Sequence, residues 1–390
     1  MAASILCPCE TELINCPLLS DVTAAANILR YLGCEVQQEG DVINISSRGV
    51  CRSDVPDVLM REMRSSVLFL GAILARTGGA ELSFPGGCRL GERPIDLHLS
   101  ALRALGAEIE EQGDRLICRA DGLHGAAIPL AMPSVGATEN AMIAACGASG
   151  TTVIENAARE PEIIALQGYL RAMGAEISGA GTGRVVIDGF TSKDRVGYRI
   201  MPDRIAATSW LSTVAATGGV LRLTGAQPEH LKPVTDALGG MGAEIELHGG
   251  EMILRSHGRL RPAGMVVTRP YPGFPTDAQP LVMASCLKAD GSSVFVENIF
   301  ENRYCHIEGF RKMGARIQTE GRVALVTGVP KLNGAQVLVH DLRGGAALMA
   351  AALSAEGESL VIDDGEHIAR GYENIEQTLG SLGAEISAIE

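Results

Sequence analysis

The chain has 390 residues, 46% of them hydrophobic but only 4% aromatic, with 47 glycines and a formal net charge of −13. It is long enough for two domains with aliphatic cores, too apolar for global disorder, and too acidic for non-specific nucleic-acid binding, so an anionic ligand has to be held by local arginines. Ten cysteines without CxxC spacing indicate reduced thiols in a cytoplasm, no apolar run is long enough to cross a membrane, and the opening MAASILCPC lacks the basic residues of a signal peptide.

From the N-terminus onward one phrase recurs: hydrophobic, glycine, small, acidic, β-branched. It reads LGCEV (32–36), LGAEI (105–109), MGAEI (173–177), MGAEI (241–245), MGARI (313–317, with arginine in the acid's place) and LGAEI (382–386). The glycines stand at 33, 106, 174, 242, 314 and 383, so their separations are 73, 68, 68, 72 and 69 residues. Each phrase follows an amphipathic helical stretch, such as 161–172. The glycine predicts a left-handed helix end, and the residues after it a strand. An alternating strand (184–187 in the third copy), another (198–201) and an alanine-rich second helix complete the unit.

Six β-α-β-β-β-α units are therefore expected in an α/β fold, closed into two clusters of three that split near Met201 and Pro202. The domains would be 1–201 and 202–390. Alanine-rich helices with little polar face belong inside and sheets outside, with the ligand in the cleft between domains. The sixth unit stops straight after its LGAEI strand. By comparison with its neighbours, about twenty residues are expected to be absent, leaving 202–390 without its N-terminally contributed strands.

Within the first domain, Phe84 to His98 reads FPGGCRLGERPIDLH. Gly86, Gly87 and Gly91 make it a bendable loop, and Arg89 and Arg93 flank Cys88 and favour its thiolate. Pro94 suits the first turn of a helix carrying Asp96 and His98. The other candidates lie at the turns that enter the second helices: Arg64 in REMRSS, Ser134 to Gly136 in PSVGATEN, Asp203 and Arg204 in PDRIAAT, Asp277 in FPTDAQP, and Asp341 with Arg343 in HDLRGG. Free N–H groups at such turns attract phosphate. Arg303 and Arg370, at the starts of first helices, add to a cationic set suited to a small, multiply anionic substrate. NAAREPEI (156–163) reads equally as a substrate contact or a capped helix start. His98 and His367 read as hydrogen-bonded structural or positioning groups rather than metal ligands, and Trp210 as core. There is no P-loop and no dinucleotide fingerprint after a strand.

PGGCRLGERPIDLH, PSVGATEN, NAAREPEI, PDRI, YPGFPTDAQ, FENRY, DLRGGAAL and HIARGYE follow one another in an order that resembles the UDP-N-acetylglucosamine 1-carboxyvinyltransferases, a family of enolpyruvyl transferases. The likeness runs from about Asn15 to the end. The sister family, 5-enolpyruvylshikimate-3-phosphate synthase, shares the six-unit fold without the cysteine loop. The resemblance implies an inside-out α/β barrel in each domain, UDP-N-acetylglucosamine and phosphoenolpyruvate as substrates, no cofactor, no metal, and no nucleic-acid, membrane or obligate protein partner. It assigns Cys88 as proton donor and fosfomycin target, and Asp277 as the carboxylate that takes the sugar hydroxyl proton. Arg93 and Arg370 would clamp phosphoenolpyruvate, with Arg64, Arg303 and Arg343 completing the cationic set. Arg93, Pro94, Ile95, Asp96 and Leu97, then Pro133, Ser134, Val135 and Gly136, and Ile299 would contact the sugar nucleotide.

Three departures stand out. The family's Lys-Asn pair before the helix corresponding to Met1–Cys7 is absent, HIDRGY reads HIARGY at Ala369, and PDRIE reads PDRIA at Ala206. They support a second reading, a truncated and catalytically impaired relative that binds UDP-N-acetylglucosamine as a sensor or partner protein.

Overall fold

Every copy of the repeated phrase closes a helix. Gly33, Gly106, Gly174, Gly242, Gly314 and Gly383 have φ of 103°, 98°, 115°, 105°, 92° and 95°, the left-handed backbone in which a side chain is strained. At Gly174 a Cβ would also meet the Thr191 carbonyl oxygen at 1.9 Å. The preceding helix is Pro161–Met173 and the strands of that copy are Ala175–Ser178, Arg184–Phe190 and Arg195–Arg199.

The computed structural model describes residues 1–84 and 95–389, and the chain divides after Met201 into two units, each with its own core. The first unit carries three four-stranded sheets of one plan: two parallel strands, then an antiparallel hairpin. In one, Arg195–Arg199 runs parallel to Glu10–Ile14, followed by Val42–Ser46 and Glu35–Glu39. In the second, Asp54–Val55 pairs with Gly79–Ser83, then Arg115–Arg119 and Glu108–Gln112. In the third, Ala127–Pro129 pairs with Thr152–Glu155, then Arg184–Phe190 and Ala175–Ser178. Inside them lie the helices Leu68–Thr77 and Val135–Ala145, packed on each other, with the short 3-10 turn Ala2–Ile5 beside the first. These segments are nearly all small or aliphatic, so they have no face to turn to water.

Among the described residues, the second unit repeats the plan with fewer strands. One sheet is complete: Met265–Val267, Ser292–Val296, Val323–Thr327 and Arg316–Glu320. Another has three strands, Gly219–Thr224, Glu251–Ser256 and Glu244–His248, and the last only two, Gln336–Leu338 and Leu360–Ile362. Its three inner helices, Arg204–Thr217, Gln279–Cys286 and Leu342–Leu353, pack against one another. All eight residues of Gln279–Cys286 are buried.

The sixth phrase departs from the sequence expectation, because residues 384–389 form no strand. A strand is held by the N–H and C=O groups of a neighbour, and among the described residues none runs alongside. No helix of the described residues is long and apolar enough to cross a membrane.

Candidate active site

In the second unit, Asp277 lies in the 3-10 turn Thr276–Ala278 that leads into the Gln279–Cys286 helix. Each of its carboxylate oxygens faces a guanidinium. Arg303 Nη2 donates to Oδ1 at 3.0 Å, and Arg343 Nε lies 3.7 Å from Oδ2. Arg303 is only 1% exposed, and all of its nitrogens are engaged. Nε and Nη2 donate to the Thr276 carbonyl at 3.2 and 3.0 Å, and Nη1 to Asp341 Oδ1 at 3.4 Å. An isolated buried cation would cost several kcal/mol, so this one stands only because two carboxylates and a carbonyl surround it.

Asp341 does a second task. It caps the Leu342–Leu353 helix, accepting from the N–H groups of Arg343 and Gly344 at 3.1 and 2.9 Å. The cap fixes the first turn, and with it the origin of the Arg343 side chain. Arg343 Nη1 reaches Tyr372 Oη at 3.3 Å, and that hydroxyl is 2.6 Å from Ser209 Oγ. Burial opposes the charge on Arg343, but Tyr372, Asp277 and Asp203 outweigh it and raise the pKa above its ordinary value. The Asp277 side chain, 40% exposed, is the open end of this network. A carboxylate held at both oxygens and still reachable can accept a proton from a bound hydroxyl.

One further turn joins this network, and two others stand in the same unit. Glu297 is buried: its Oε2 accepts from Thr276 Oγ1 at 3.0 Å, and its Oε1 from the N–H groups of Ile299 and Phe300 at 2.8 and 3.0 Å. It thereby ties the Ile299 turn to that of Asp277. The half-buried Arg370 ends the 3-10 turn Ile368–Arg370, whose start is held by Asp363 accepting from the N–H groups of His367 and Ile368 at 2.9 and 2.8 Å. Ala369 faces solvent there. Asp203 caps the Arg204–Thr217 helix, accepting from Ile205 and Ala206 at 2.7 and 3.0 Å, while the Arg204 guanidinium lies 5.7 Å from the Tyr271 ring centroid.

The first unit assembles a different set. Ser134 caps the Val135–Ala145 helix, its Oγ accepting from Ala137 N–H at 3.3 Å. Gly136 lies against the His98 ring, where a Cβ would be 3.0 Å from Cε1. His98 is in the Asp96–Ala104 helix, buried, with its pKa pushed down to about 4 by burial first and by Arg64 next, against Asp96. Arg64 opens the 3-10 turn Arg64–Val67 and is half-buried. Pro133, Val135 and Leu97 are also half-buried, and Asp96 is exposed.

The sequence-predicted residues thus fall into two groups. Asp277, Ile299, Arg303 and Arg343 are linked within the second unit, and Arg64, Asp96, His98 and the Ser134–Gly136 turn belong to the first. Cys88, Arg93 and Pro94 lie outside the described residues. Two expectations change in kind. Arg303 sits behind Asp277 with no open face, and Ile95, 8% exposed, is a core side chain. In NAAREPEI, Asn156 Nδ2 donates to the Leu130 carbonyl at 2.9 Å and Pro161 opens the helix. Sequence reasoning missed Glu297, Tyr372 and Asn140. Asn140 had a signal: an amide inside an alanine-rich helix with no wet face.

The model of the EPSP synthase family (3-phosphoshikimate 1-carboxyvinyltransferase) matches residues 1–379. The chain is 47% identical over 389 residues to UDP-N-acetylglucosamine 1-carboxyvinyltransferase 2 of Caldanaerobacter subterraneus, covering 100% of this chain and 93% of that one. It is 46% identical over 395 residues to UDP-N-acetylglucosamine 1-carboxyvinyltransferase 1 of Symbiobacterium thermophilum, covering 100% and 89%. Among solved structures, the enolpyruvyl transferase NikO from Streptomyces tendae superposes with a TM-score of 0.88 at 24% identity, covering 99% of this chain and 92% of that one. An EPSP synthase from Acinetobacter baumannii gives 0.74 at 19%, covering 100% and 94%. Both show the same fold.

Proposed function

This chain belongs to the enolpyruvyl transferase family, in its UDP-N-acetylglucosamine 1-carboxyvinyltransferase branch, and on that premise we propose how its residues divide the work. The reaction moves the enolpyruvyl group of phosphoenolpyruvate to the 3-hydroxyl of UDP-N-acetylglucosamine and releases phosphate, the first committed step of peptidoglycan synthesis. The hydroxyl oxygen adds to C2 while C3 gains a proton. A proton then leaves C3 as the bond from C2 to the phosphate oxygen breaks. The chemistry needs a base for the hydroxyl and an acid for C3.

Asp277 is the base, and the observation that carries this is its carboxylate, gripped at both oxygens yet 40% exposed. Arg303 acts through Asp277 and Asp341 rather than on the substrate. Arg343, Arg370, Arg64 and Arg93 supply positive charge for the carboxylate and phosphate of phosphoenolpyruvate. Cys88 is the acid at C3 and the thiol that fosfomycin alkylates. The Pro133–Gly136 turn, Pro94, Asp96, Leu97 and Ile299 hold the sugar nucleotide. In domain terms, 1–201 contributes the cysteine loop and the Ser134 turn, and 202–390 the catalytic carboxylate and Ile299. A cytoplasmic location suits the nine described cysteines, all free thiols.

The experiment is Asp277→Asn, assayed for phosphate release with both substrates and for sugar-nucleotide affinity by calorimetry. The amide keeps the shape but accepts no proton, so kcat should fall about 10²–10⁴-fold while the Kd for UDP-N-acetylglucosamine stays within about threefold. Turnover near that of the unmodified chain would remove Asp277 from the base role.

A further inference from the structure

Asn140 is fully buried in the Val135–Ala145 helix, and each atom of its amide has a partner. Its Oδ1 accepts from the Gly71 backbone N–H at 2.8 Å, and its Nδ2 donates to the Val67 carbonyl at 3.0 Å. Val67 and Gly71 are the i and i+4 residues across the junction where the Arg64–Val67 3-10 turn becomes the Leu68–Thr77 helix. Gly71 has to be glycine for this approach, since a Cβ there would lie 2.2 Å from Oδ1. Both partners are backbone groups, one only a donor and one only an acceptor, so the amide cannot be turned over.

That leaves one hydrogen on Nδ2, and 3.2 Å from Nδ2 is His98 Nδ1. A ring nitrogen facing an N–H must accept. The protonation of one imidazole nitrogen then fixes the other in the neutral ring. We infer that Asn140 is a positioning residue that locks His98 as the Nε2–H tautomer, presenting a fixed hydrogen-bond donor at the Ser134–Gly136 turn for an acceptor oxygen of the sugar nucleotide. The inference rests on the sugar-nucleotide reading of that turn. Its geometry is local: the ring edge bearing Nε2 is the one against Gly136, where a Cβ would be 3.2 Å from Nε2. The charged groups facing His98 are Arg64, from the 3-10 turn, and Asp96, from its own helix. The buried ring stays neutral near pH 7, so the donor is an imidazole rather than an imidazolium.

The test begins with the whole chain, ¹⁵N-labelled at histidine, with no substrate present. His98, assigned by loss of its signal in His98→Gln, should show a protonated Nε2 and a bare Nδ1. In Asn140→Asp the carboxylate still accepts from Gly71 but offers His98 no hydrogen, so the neutral ring should carry its one proton on Nδ1 and leave Nε2 bare. The KM for UDP-N-acetylglucosamine should then rise about fivefold, the worth of one neutral hydrogen bond, with the KM for phosphoenolpyruvate and kcat within about twofold. His98→Gln places an amide N–H near Nε2 and has no tautomer to lock, so adding Asn140→Asp to it should leave KM unchanged. A protonated Nδ1 in the parent chain overturns the inference. So does an equal rise in KM from Asn140→Asp in both backgrounds, which would make Asn140 a scaffold residue only. If UDP-N-acetylglucosamine fails to bind the parent chain, the functional reading falls while the tautomer measurement still stands on its own.

Discussion

His98 and His306 occupy equivalent places in the two units. Each stands eight residues before a repeat glycine, Gly106 and Gly314 respectively. Each is buried and has its pKa pushed down to about 4, chiefly by that burial. Their surroundings differ completely. His98 has Asn140, six residues after the cap Ser134, whereas the position six after the cap Asp341 is Ala347. His306 packs edge-on against Phe310, with centroids 5.1 Å apart, and meets no side-chain amide among the described residues. Three residues before His98 is the buried Ile95, and three before His306 is Arg303, buried more deeply still. One scaffold position therefore holds an aliphatic side chain in one unit and a guanidinium in the other. The repeat supplies the frame, and single substitutions at matched positions give the first unit an amide–imidazole contact where the second has a buried charged network.

The largest expected effect comes from erasing that difference. Arg303→Ile would make the second unit match the first at this position, but would leave Asp341, only 6% exposed, without its cation. A loss of about 3–5 kcal/mol is expected from removing one partner of a buried pair, against about 0.5–1.5 kcal/mol for Ile95→Val. Urea unfolding of both variants decides it. Similar losses would mean that the two positions are energetically alike and that the charged network holds nothing.

Acid should weaken both units through their histidines. The folded pKa values, about 4, lie below the ordinary histidine value of 6.5, so between those pH values the unfolded chain binds protons that the native rings do not. Stability should be flat in these groups above pH 6.5 and fall as the pH drops from 6.5 toward 4. His98→Gln and His306→Gln should each flatten part of that slope, measured as midpoint against pH. An unchanged slope in both variants would place the acid sensitivity elsewhere.

The smallest contrast is between the caps. Ser134→Ala and Asp203→Ala should each cost about 1 kcal/mol, the usual loss for an N-cap. Only the charged cap gains from the helix dipole, so salt should shrink the Asp203 effect and leave that of Ser134 alone. Melting at low and high salt separates them, and equal salt dependence would contradict the assignment.

The sequence by itself determined the local half of this protein. The six glycines, the strands that follow five of them, and the helices without a polar face depend on backbone preference and on periodicity within a few residues. The turns entering the inner helices were legible for the same reason, including Asp277, Ser134, Asp203 and Asp341. Partnership was decided only in three dimensions. Arg303 reads in sequence as an anion ligand and becomes a buried support because Asp341, 38 residues away, comes to face it. Asn140 gains its role from Val67, 73 residues distant, and from His98. The LGAEI phrase at 382–386 has the same local preferences as its five counterparts, yet it forms no strand, because a strand exists only where a neighbour completes its hydrogen bonds.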